Sequence, residues 1–280
     1  MTNTNDIYQQ VTDRIVAALE SGTAPWLKPW ADGKCGTAGP FNAATGRAYN
    51  GINWLVLGSG GWLTYKQAKE LGGCVRKGEK GTAIVFWSFP KIKQDDGTEK
   101  VVPFAKGYTV FAVEQCDGID AGKLKYPAPI VAGQTSINVF AAQAGAQVRH
   151  GGARAYYSPD ADYVQMPSLD AFESADAYAG TLAHELVHWT GHKSRCDRQF
   201  GKRFGDDAYA FEELVAEIGS AFVCAQMGIP LEGLQHDRYV ASWLKVLKGD
   251  KRAIFTASSQ ARTASEYLLA TQEEEQAMAA

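Results

Sequence analysis

One stretch decides the fold: Thr181-Leu-Ala-His184-Glu185-Leu-Val-His188-Trp189-Thr-Gly191-His192. His184 and His188 are four residues apart, so in a helix of about 3.6 residues per turn both imidazoles lie on one face and can reach one metal ion. Glu185 follows the first histidine, where its carboxylate can take a proton from metal-bound water. Because the neighbouring residues are mostly apolar, we expect a buried helix that ends near Gly191. The stretch therefore predicts a zinc site of the H-E-x-x-H type.

A catalytic zinc ion needs a third protein ligand. A further histidine six positions after His188 would complete one common form of the site, but that position is Ser194. Better candidates lie in residues 211–222, a second apolar stretch with a helical pattern and three carboxylates. The third ligand is therefore expected from this second helix.

The acids of that helix follow an E-x-x-x-E spacing that resembles the glutamate zincins. The resemblance implies that Glu213 binds the metal and that Glu217 orients a ligand histidine. The reverse assignment stays open, because Glu217 lies nearer the apolar face by helical angle. Glu212 is the third choice, and a solvated helix face explains it more simply.

Length and composition indicate two domains and no membrane segment. The chain has 280 residues, of which 45% are hydrophobic, enough to form substantial cores. It has no apolar run of roughly 18 residues, and its N-terminus lacks the basic and apolar regions of a secretory signal. Five cysteines without C-x-x-C spacing are typical of reduced thiols. We therefore expect a cytoplasmic protein.

Charge and aromatic residues divide the chain into two unlike halves. Residues 1–125 contain 15 Lys and Arg against 12 Asp and Glu, whereas residues 126–280 contain 13 against 19. Residues 21–93 contain ten basic and three acidic residues, and five of the seven tryptophans lie in the first half. A basic, aromatic segment is typical of single-stranded DNA binding, in which cations contact phosphates and flat side chains stack on bases.

Twelve side chains of the first half are the predicted DNA contacts. Basic residues around the glycine turn at Gly78 would meet phosphates, aromatic rings would stack on bases, and amides would bind base edges. The set is Trp26, Trp30, Arg47, Tyr49, Asn50, Asn53, Tyr65, Lys66, Gln67, Arg76, Lys77 and Lys80. A place in the core is the plainer alternative for each tryptophan, and a solvated face is the plainer alternative for the charges.

Periodicity predicts an α+β fold in two domains. The first domain, residues 1–118, is expected to be α+β with a small antiparallel sheet, and residues 119–135 to be a linker. The second domain, residues 136–280, is expected to be mainly helical and zincin-like. The predicted helices are 5–21, 51–58, 62–72, 136–148, 174–190, 209–227 and 236–248. The predicted strands are 82–89, 99–104 and 107–114, with a turn at 95–97, and a hairpin joins 153–158 to 162–166.

Two sets of motifs resemble the ArdC-type antirestriction proteins of conjugative plasmids. The first half contains Pro25-Trp26-Leu-Lys-Pro29-Trp30, Thr45-Gly46-Arg47, Tyr49-Asn50-Gly51-Ile52-Asn53, Trp62-Leu-Thr64-Tyr65-Lys66-Gln67-Ala68 and Val75-Arg76-Lys77-Gly78-Glu79-Lys80-Gly81. The second half contains the histidine stretch and Tyr209-Ala-Phe-Glu212-Glu213-Leu-Val-Ala-Glu217. The resemblance covers nearly the whole chain. It implies a single-stranded-DNA-binding domain, a zincin-like metallopeptidase domain and protection of incoming plasmid DNA from restriction.

Three functions remain open from the sequence. The first is an antirestriction protein that binds single-stranded DNA and carries a zinc metallopeptidase domain. The second is a DNA-associated zinc metalloprotease that acts on DNA-bound proteins, and the third is a DNA-binding protein whose zincin domain is catalytically idle. Zn²⁺ is the expected metal, although another divalent ion would fit. The expected partners are single-stranded DNA and a protein substrate that the sequence does not identify.

Overall fold

The chain forms two compact units. The computed structural model describes residues 4–27, 39–88, 91–93, 99–101, 104–127, 136–200, 207–230 and 237–279. One unit comprises residues 1–15 and 39–128, and the other comprises residues 16–38 and 129–280. The predicted α+β class with two domains is confirmed. The part of the chain that the structure describes has no helix that is both long enough and apolar enough to span a membrane.

The structure divides the chain differently from the predicted boundaries. Residues 16–38 group with the second unit, although the sequence places them in the first domain. The described part of the predicted linker, 119–127, packs on the first unit. The Lys125 amide donates to the Ala43 carbonyl at 2.9 Å, and the Tyr126 ring lies 5.5 Å from that of Phe41. Residues 119–127 are therefore irregular chain that packs on the first unit, although their turn-like composition predicted a linker.

A mixed four-stranded sheet organises the first unit. The unit contains the first part of helix α1 (Thr4–Glu20), then β1 (Pro40–Asn42), α2 (Ile52–Val56), β2 (Gly60–Thr64), α3 (Tyr65–Glu70), β3 (Cys74–Val75), β4 (Thr82–Ser88), β5 (Lys91–Lys93), β6 (Glu99–Val101), β7 (Phe104–Ala112) and β8 (Cys116–Asp117). The strand order is β1-β2-β7-β4, and β1 pairs with β2 in parallel while the other pairs are antiparallel. The sheet is thus mixed, where an antiparallel one was predicted.

The helix predicted over 62–72 begins later than expected. Thr64 caps it: its hydroxyl accepts a hydrogen bond from the Gln67 amide, and the Gln67 side chain accepts one from the Thr64 amide. The predicted capping box is therefore present. Trp62 and Leu63, however, extend β2 and pair with β7, where both side chains are buried.

Strands β4 and β7 form the longest ladder among the described residues. Seven residue pairs run from Thr82 opposite Val110 to Ser88 opposite Phe104. Strands β5 and β6 also pair antiparallel, with Ile92 opposite Lys100. The predicted turn at 95–97 lies outside the described residues.

The second unit is mainly helical, as predicted. Its elements are α4 (Ile137–Gln143), β9 (Val148–His150), β10 (Tyr156–Ser158), β11 (Tyr163–Met166), α5 (Ala175–Thr190), α6 (Asp207–Met227), α7 (Asp237–Gly249) and α8 (Ala253–Ala279). The predicted hairpin is β10 paired antiparallel with β11, and β9 lies parallel on the other side of β11. Helix α8 was not predicted, although its apolar positions Ile254, Ala257, Ala261, Ala264 and Leu268 follow helical spacing and are buried.

Close packing of α5 on α6 brings the candidate metal ligands together. A Cβ atom at Gly219 of α6 would lie only 2.8 Å from a methyl carbon of Val187 on α5. The absence of a side chain at Gly219 therefore lets the two helices approach closely. This approach places the acids of α6 against the histidines of α5.

Candidate metal centre

Helix α5 presents His184 and His188 to α6. The helix begins after Ser174, whose hydroxyl accepts a hydrogen bond from the Ala177 amide, and ends at Gly191. It is buried over most of its last three turns, as its apolar sequence predicts. The two Nε2 atoms lie 3.1 Å apart, with the rings nearly perpendicular at 80°.

Glu213 of α6 completes a triangle of ligand atoms. Its Oε2 lies 3.5 Å from His184 Nε2, and its Oε1 lies 3.6 Å from His188 Nε2. A tetrahedral zinc ion with bonds of about 2.0–2.1 Å separates its ligand atoms by about 3.3 Å. The three groups therefore fit one small divalent ion in size and in donor type.

Glu217 lies on the other side of His184 from the triangle. Its Oε1 is 3.5 Å from His184 Nδ1, and its carboxylate is buried. Carboxylates in this position favour an imidazole whose Nδ1 carries the proton, which leaves Nε2 available for a metal ion. The geometry thus favours the order given by the glutamate-zincin resemblance, with Glu213 toward the metal and Glu217 behind His184.

Glu212 is buried rather than solvated, so the simpler interpretation of this residue was wrong. Its side chain is only 3% exposed, and its Oε1 lies 3.1 Å from His188 Nδ1. Burial disfavours the charged form, but His188 and Arg198 outweigh it and lower the pKa of Glu212. Because the resulting carboxylate can only accept, His188 Nδ1 must donate, and its Nε2 keeps the lone pair that a metal ion needs.

Arg198 holds Glu212 in place. Its Nε and Nη2 donate to the two carboxylate oxygens of Glu212 at 3.0 and 2.8 Å, a bidentate pair. Its remaining donors bind the Thr190 hydroxyl at 2.8 Å and the Val187 carbonyl at 2.6 Å, both on α5. Arg198 therefore holds both the end of α5 and the carboxylate of Glu212 next to His188.

Neither the role of Arg198 nor the burial of Glu212 was predicted from the sequence. The burial of Glu212 could have been predicted from the sequence of α6. That helix is apolar nearly all round, so an acid on any of its faces is expected to be buried. No comparable signal exists for Arg198, which follows the helix in a polar loop and meets Glu212 only through the tertiary fold.

Glu185 faces the same cleft as the three ligands. It is nearly buried, and it accepts a hydrogen bond from the backbone amide of Tyr157 on β10. Burial raises the pKa of Glu185, against the lowering effect of the two histidines. A carboxylate with a raised pKa next to a metal-bound water is suited to take and return a proton.

The acids around His184 change its basicity in the metal-free protein. Burial alone would lower the pKa of His184, but Glu213, Glu217 and Glu185 outweigh it and raise the pKa to about 9. For Glu213, burial would raise the pKa, but the two histidines and the Tyr209 hydroxyl lower it to about 2. An empty site therefore holds a charged imidazole against a charged carboxylate near neutral pH.

The ligands open into a cleft of about 700 Å³. Tyr209 and Tyr239 line one part of it, with their hydroxyls 3.4 Å apart, and Tyr156 and Tyr157 of β10 line another. Among the described residues β10 pairs only with β11, so its other edge carries backbone groups outside the ladder. The cleft has room for an extended chain beside the metal position.

Comparisons with known proteins agree with both units. Residues 135–260 match the family described as zincin-like metallopeptidase, and residues 5–111 match the N-terminal domain of anti-restriction factor ArdC. The crystal structure of the antirestriction protein ArdC from plasmid R388, in metal-free form, is 43% identical in sequence, with a TM-score of 0.80 over 96% of this chain and 98% of that one. The chain belongs to the ArdC family of antirestriction proteins.

Other relatives place this ArdC-type chain in context. A Mn(II)-bound structure of the R388 protein has a TM-score of 0.78 and the same identity, over 95% of this chain and 98% of that one. An uncharacterized protein, y4eC, of Sinorhizobium fredii is 39% identical over 97% of this chain and 94% of its own length. The DNA primase TraC of Escherichia coli is 40% identical over 96% of this chain, which spans only 27% of the primase.

In the ArdC-type N-terminal part, some predicted DNA contacts are structural. Trp26 is fully buried in the second unit, where its ring meets that of Trp243 edge-on at 5.5 Å, so its prediction as a base platform is wrong. Asn53 binds the backbone of Val85 on β4 through both amide atoms, at 2.7 and 2.8 Å. Gln67 caps α3 and bonds to Asn42. The prediction that Asn53 and Gln67 contact bases is therefore corrected, because folding already uses their amides.

The remaining predicted contacts are spread over the surface of the first unit. Arg76 bonds to Glu79 at 2.8 Å and to Asp117 at 3.3 Å, which reduces its availability to phosphate. Tyr65 is about half exposed beneath Lys69, and Lys66 pairs with Glu70. Tyr49 is partly buried and bonds to Asn42. Arg47, Asn50, Lys77 and Lys80 are exposed, as are Tyr65, Lys66 and Arg76, and Trp30 lies outside the described residues.

Proposed function

We propose that this chain binds single-stranded DNA entering a cell, protects plasmid DNA from restriction, and carries a zinc metallopeptidase site. The observation that carries the metallopeptidase part is the triangle of His184, His188 and Glu213 with Glu185 beside it. Membership of the ArdC family supports the antirestriction role. The four cysteines in the described part of the chain are free thiols, in keeping with action in the cytoplasm.

The proposed ligands are His184, His188 and Glu213, with Zn²⁺ as the first choice and Mn²⁺ as the second. The R388 protein has a Mn(II)-bound structure, which supports the binding of a divalent ion by this family. When bound, the ion lowers the pKa of a water molecule and polarises the substrate carbonyl. Glu217 and Glu212 orient the two imidazoles, and Arg198 keeps Glu212 charged and fixed.

Glu185 is the proposed general base. Its carboxylate takes a proton from the attacking water and returns it to the amine that leaves, which the raised pKa of Glu185 favours. The outer edge of β10 is the proposed binding strand, where an extended peptide can donate hydrogen bonds to backbone carbonyl groups outside the β10–β11 ladder. The hydrogen bond from the Tyr157 amide to Glu185 connects β10 with the proposed general base.

A transfer assay tests the proposed function. Plasmid DNA that the host's restriction enzyme can cut would be introduced by conjugation. The recipient cells would express the wild type, Glu185→Gln, or a variant defective in DNA binding. We expect the DNA-binding variant to lose protection. Equal transfer with and without wild-type protein in a restricting host would contradict the antirestriction role.

The same cells separate the two alternatives for the peptidase site. Loss of protection in Glu185→Gln, with metal content and fold unchanged, would show that antirestriction requires hydrolysis. Hydrolysis of DNA-bound host proteins that stops in Glu185→Gln, while protection persists, would favour a DNA-associated protease. Full protection without any hydrolysis by the wild type would favour an idle zincin domain.

A further inference from the structure

One face of the β4–β7 ladder exposes two large aromatic side chains and a lysine. Phe86 is 59% exposed and Tyr108 is 40% exposed, and Lys106 is also exposed. Phe86 stands opposite Lys106, and Ile84 opposite Tyr108. Since residues two apart in a strand point to the same side of the sheet, all three exposed side chains lie on one face. We call Phe86, Tyr108 and Lys106 the sheet platform.

The sheet platform is a contiguous group. The rings of Phe86 and Tyr108 meet edge to face, with centroids 6.3 Å apart at 86°. Lys106 Nζ lies 5.1 Å from the centre of the Tyr108 ring. Lys106 is exposed, and no carboxylate among the described residues forms an ion pair with it.

The exposure is local to one end of the ladder. Farther along the same face Ile84 and Val110 are buried, so the sheet is covered there. Folding alone would favour polar residues at positions 86 and 108, because exposed aromatic rings gain little from the hydrophobic effect. An aromatic pair with a cation at such positions is instead typical of surfaces that stack on bases and hold phosphates.

We propose that the sheet platform is a base-stacking site for single-stranded DNA, an inference that rests on the proposed DNA binding and locates it. Charge complementarity supports this partner. In addition to Lys106, the sequence of β5 and β6 contains three lysines and one glutamate among six residues. The basic turn at Arg76, by contrast, is partly neutralised by Glu79 and Asp117. Phe86 and Tyr108 accept the bases, and Lys106 pairs with the phosphate between them.

The test is fluorescence anisotropy of full-length protein with a short labelled oligothymidylate, which has no internal base pairing. The variants are Phe86→Ala/Tyr108→Ala and Lys106→Gln. The control is Tyr126→Ala, another half-exposed tyrosine of the same unit. Phe86→Tyr tests rescue, and circular dichroism melts check that each variant is folded.

We expect the double variant to bind at least about tenfold more weakly with an unchanged salt dependence, because it loses stacking and keeps its charges. Lys106→Gln should lower the slope of log affinity against log salt by about 0.7, the value for one lost phosphate contact on a single strand. Phe86→Tyr and Tyr126→Ala should bind like the wild type.

Three outcomes would overturn the proposal. If the wild type binds the oligothymidylate and both platform variants bind it equally well, DNA binding stands but its site lies elsewhere. If the wild type does not bind it at all, the proposed DNA binding fails together with the platform. If light scattering finds a dimer that the double variant dissociates, the platform is an interface between two copies of the chain.

Discussion

Glu212 Oε1 lies 3.1 Å from Nδ1 of His188, the ring nitrogen that faces away from Glu213. Together with Glu217 behind His184, it gives each candidate ligand histidine a buried carboxylate of its own. Arg198 forms a buried ion pair with Glu212 at 2.8 Å, which helps to lower the pKa of that carboxyl. Helix α6 therefore contributes three acids to the candidate metal site, and of these Glu213 is the one in the triangle of candidate ligand atoms.

Glu212→Gln should weaken zinc binding about 10–100-fold. It should also lower the free energy of unfolding by about 3–5 kcal/mol, because the buried Arg198 guanidinium loses its counter-charge. The amide keeps the shape of the side chain, but it no longer requires His188 Nδ1 to be the donor. Competition with a chromophoric chelator measures the affinity. Glu185→Gln is the matched control, since it alters an acid of the same cleft that orients no imidazole, and it should keep its zinc. Equal affinities in all three proteins would show that Glu212 has no part in the site.

Glu213→Ala should abolish tight metal binding, whereas Glu217→Ala should reduce affinity about 10–100-fold. Of these two acids, Glu213 is the one whose carboxylate oxygens lie near both Nε2 atoms, at 3.5 Å from His184 and 3.6 Å from His188. The same chelator competition measures both variants. A Glu217→Ala protein without metal, next to a Glu213→Ala protein that retains it, would reverse the assignment.

Zinc binding to the metal-free protein should release about one proton per ion near neutral pH. The pKa of His184 is raised to about 9, so its imidazole is protonated below that pH and must lose the proton before it can bind. Affinity should therefore rise as pH increases toward about 9 and level off above it. Titration calorimetry in buffers of different ionisation enthalpy counts the protons. An affinity that stays constant from about pH 7 to 9 would contradict the raised pKa.

Trp26→Ala should destabilise the protein by about 3–5 kcal/mol, the usual cost of removing a large core side chain. Trp26 is fully buried against Trp243, so its loss leaves a cavity. Urea denaturation followed by circular dichroism measures the change. Trp26→Phe keeps much of the volume and should retain oligothymidylate binding. Loss of binding in a stably folded Trp26→Phe protein would restore the base-stacking role that burial argues against.

The sequence predicted local features well and tertiary ones poorly. The H-E-x-x-H helix, the acidic helix and the capping box at Thr64 follow from periodicity and short-range chemistry, which the sequence displays directly. The roles of Trp26 and Asn53 depend on partners far away in the chain, namely Trp243 and Val85. An aromatic motif near the N-terminus has the same composition whether it packs inside or stacks on bases.

The sheet platform escaped prediction for a related reason. Ile84-Val85-Phe86-Trp87 is a continuous apolar run, and such a run does not show which of its residues a neighbouring element covers. Only the pairing of β4 with β7 places Phe86 and Tyr108 on one exposed face. Arg198 is a similar case, because a lone arginine in a loop gives no sign of the carboxylate that it binds.

The metal content of the purified protein tests whether His184 and His188 hold a zinc ion. Purified wild type and a His184→Ala/His188→Ala variant would be loaded with zinc, dialysed and measured by mass spectrometry of the metal, with circular dichroism to show that both are folded. We expect about one zinc ion per wild-type chain and none in the variant. Full occupancy in the folded double variant would contradict it, because the ion would then bind somewhere other than between α5 and α6.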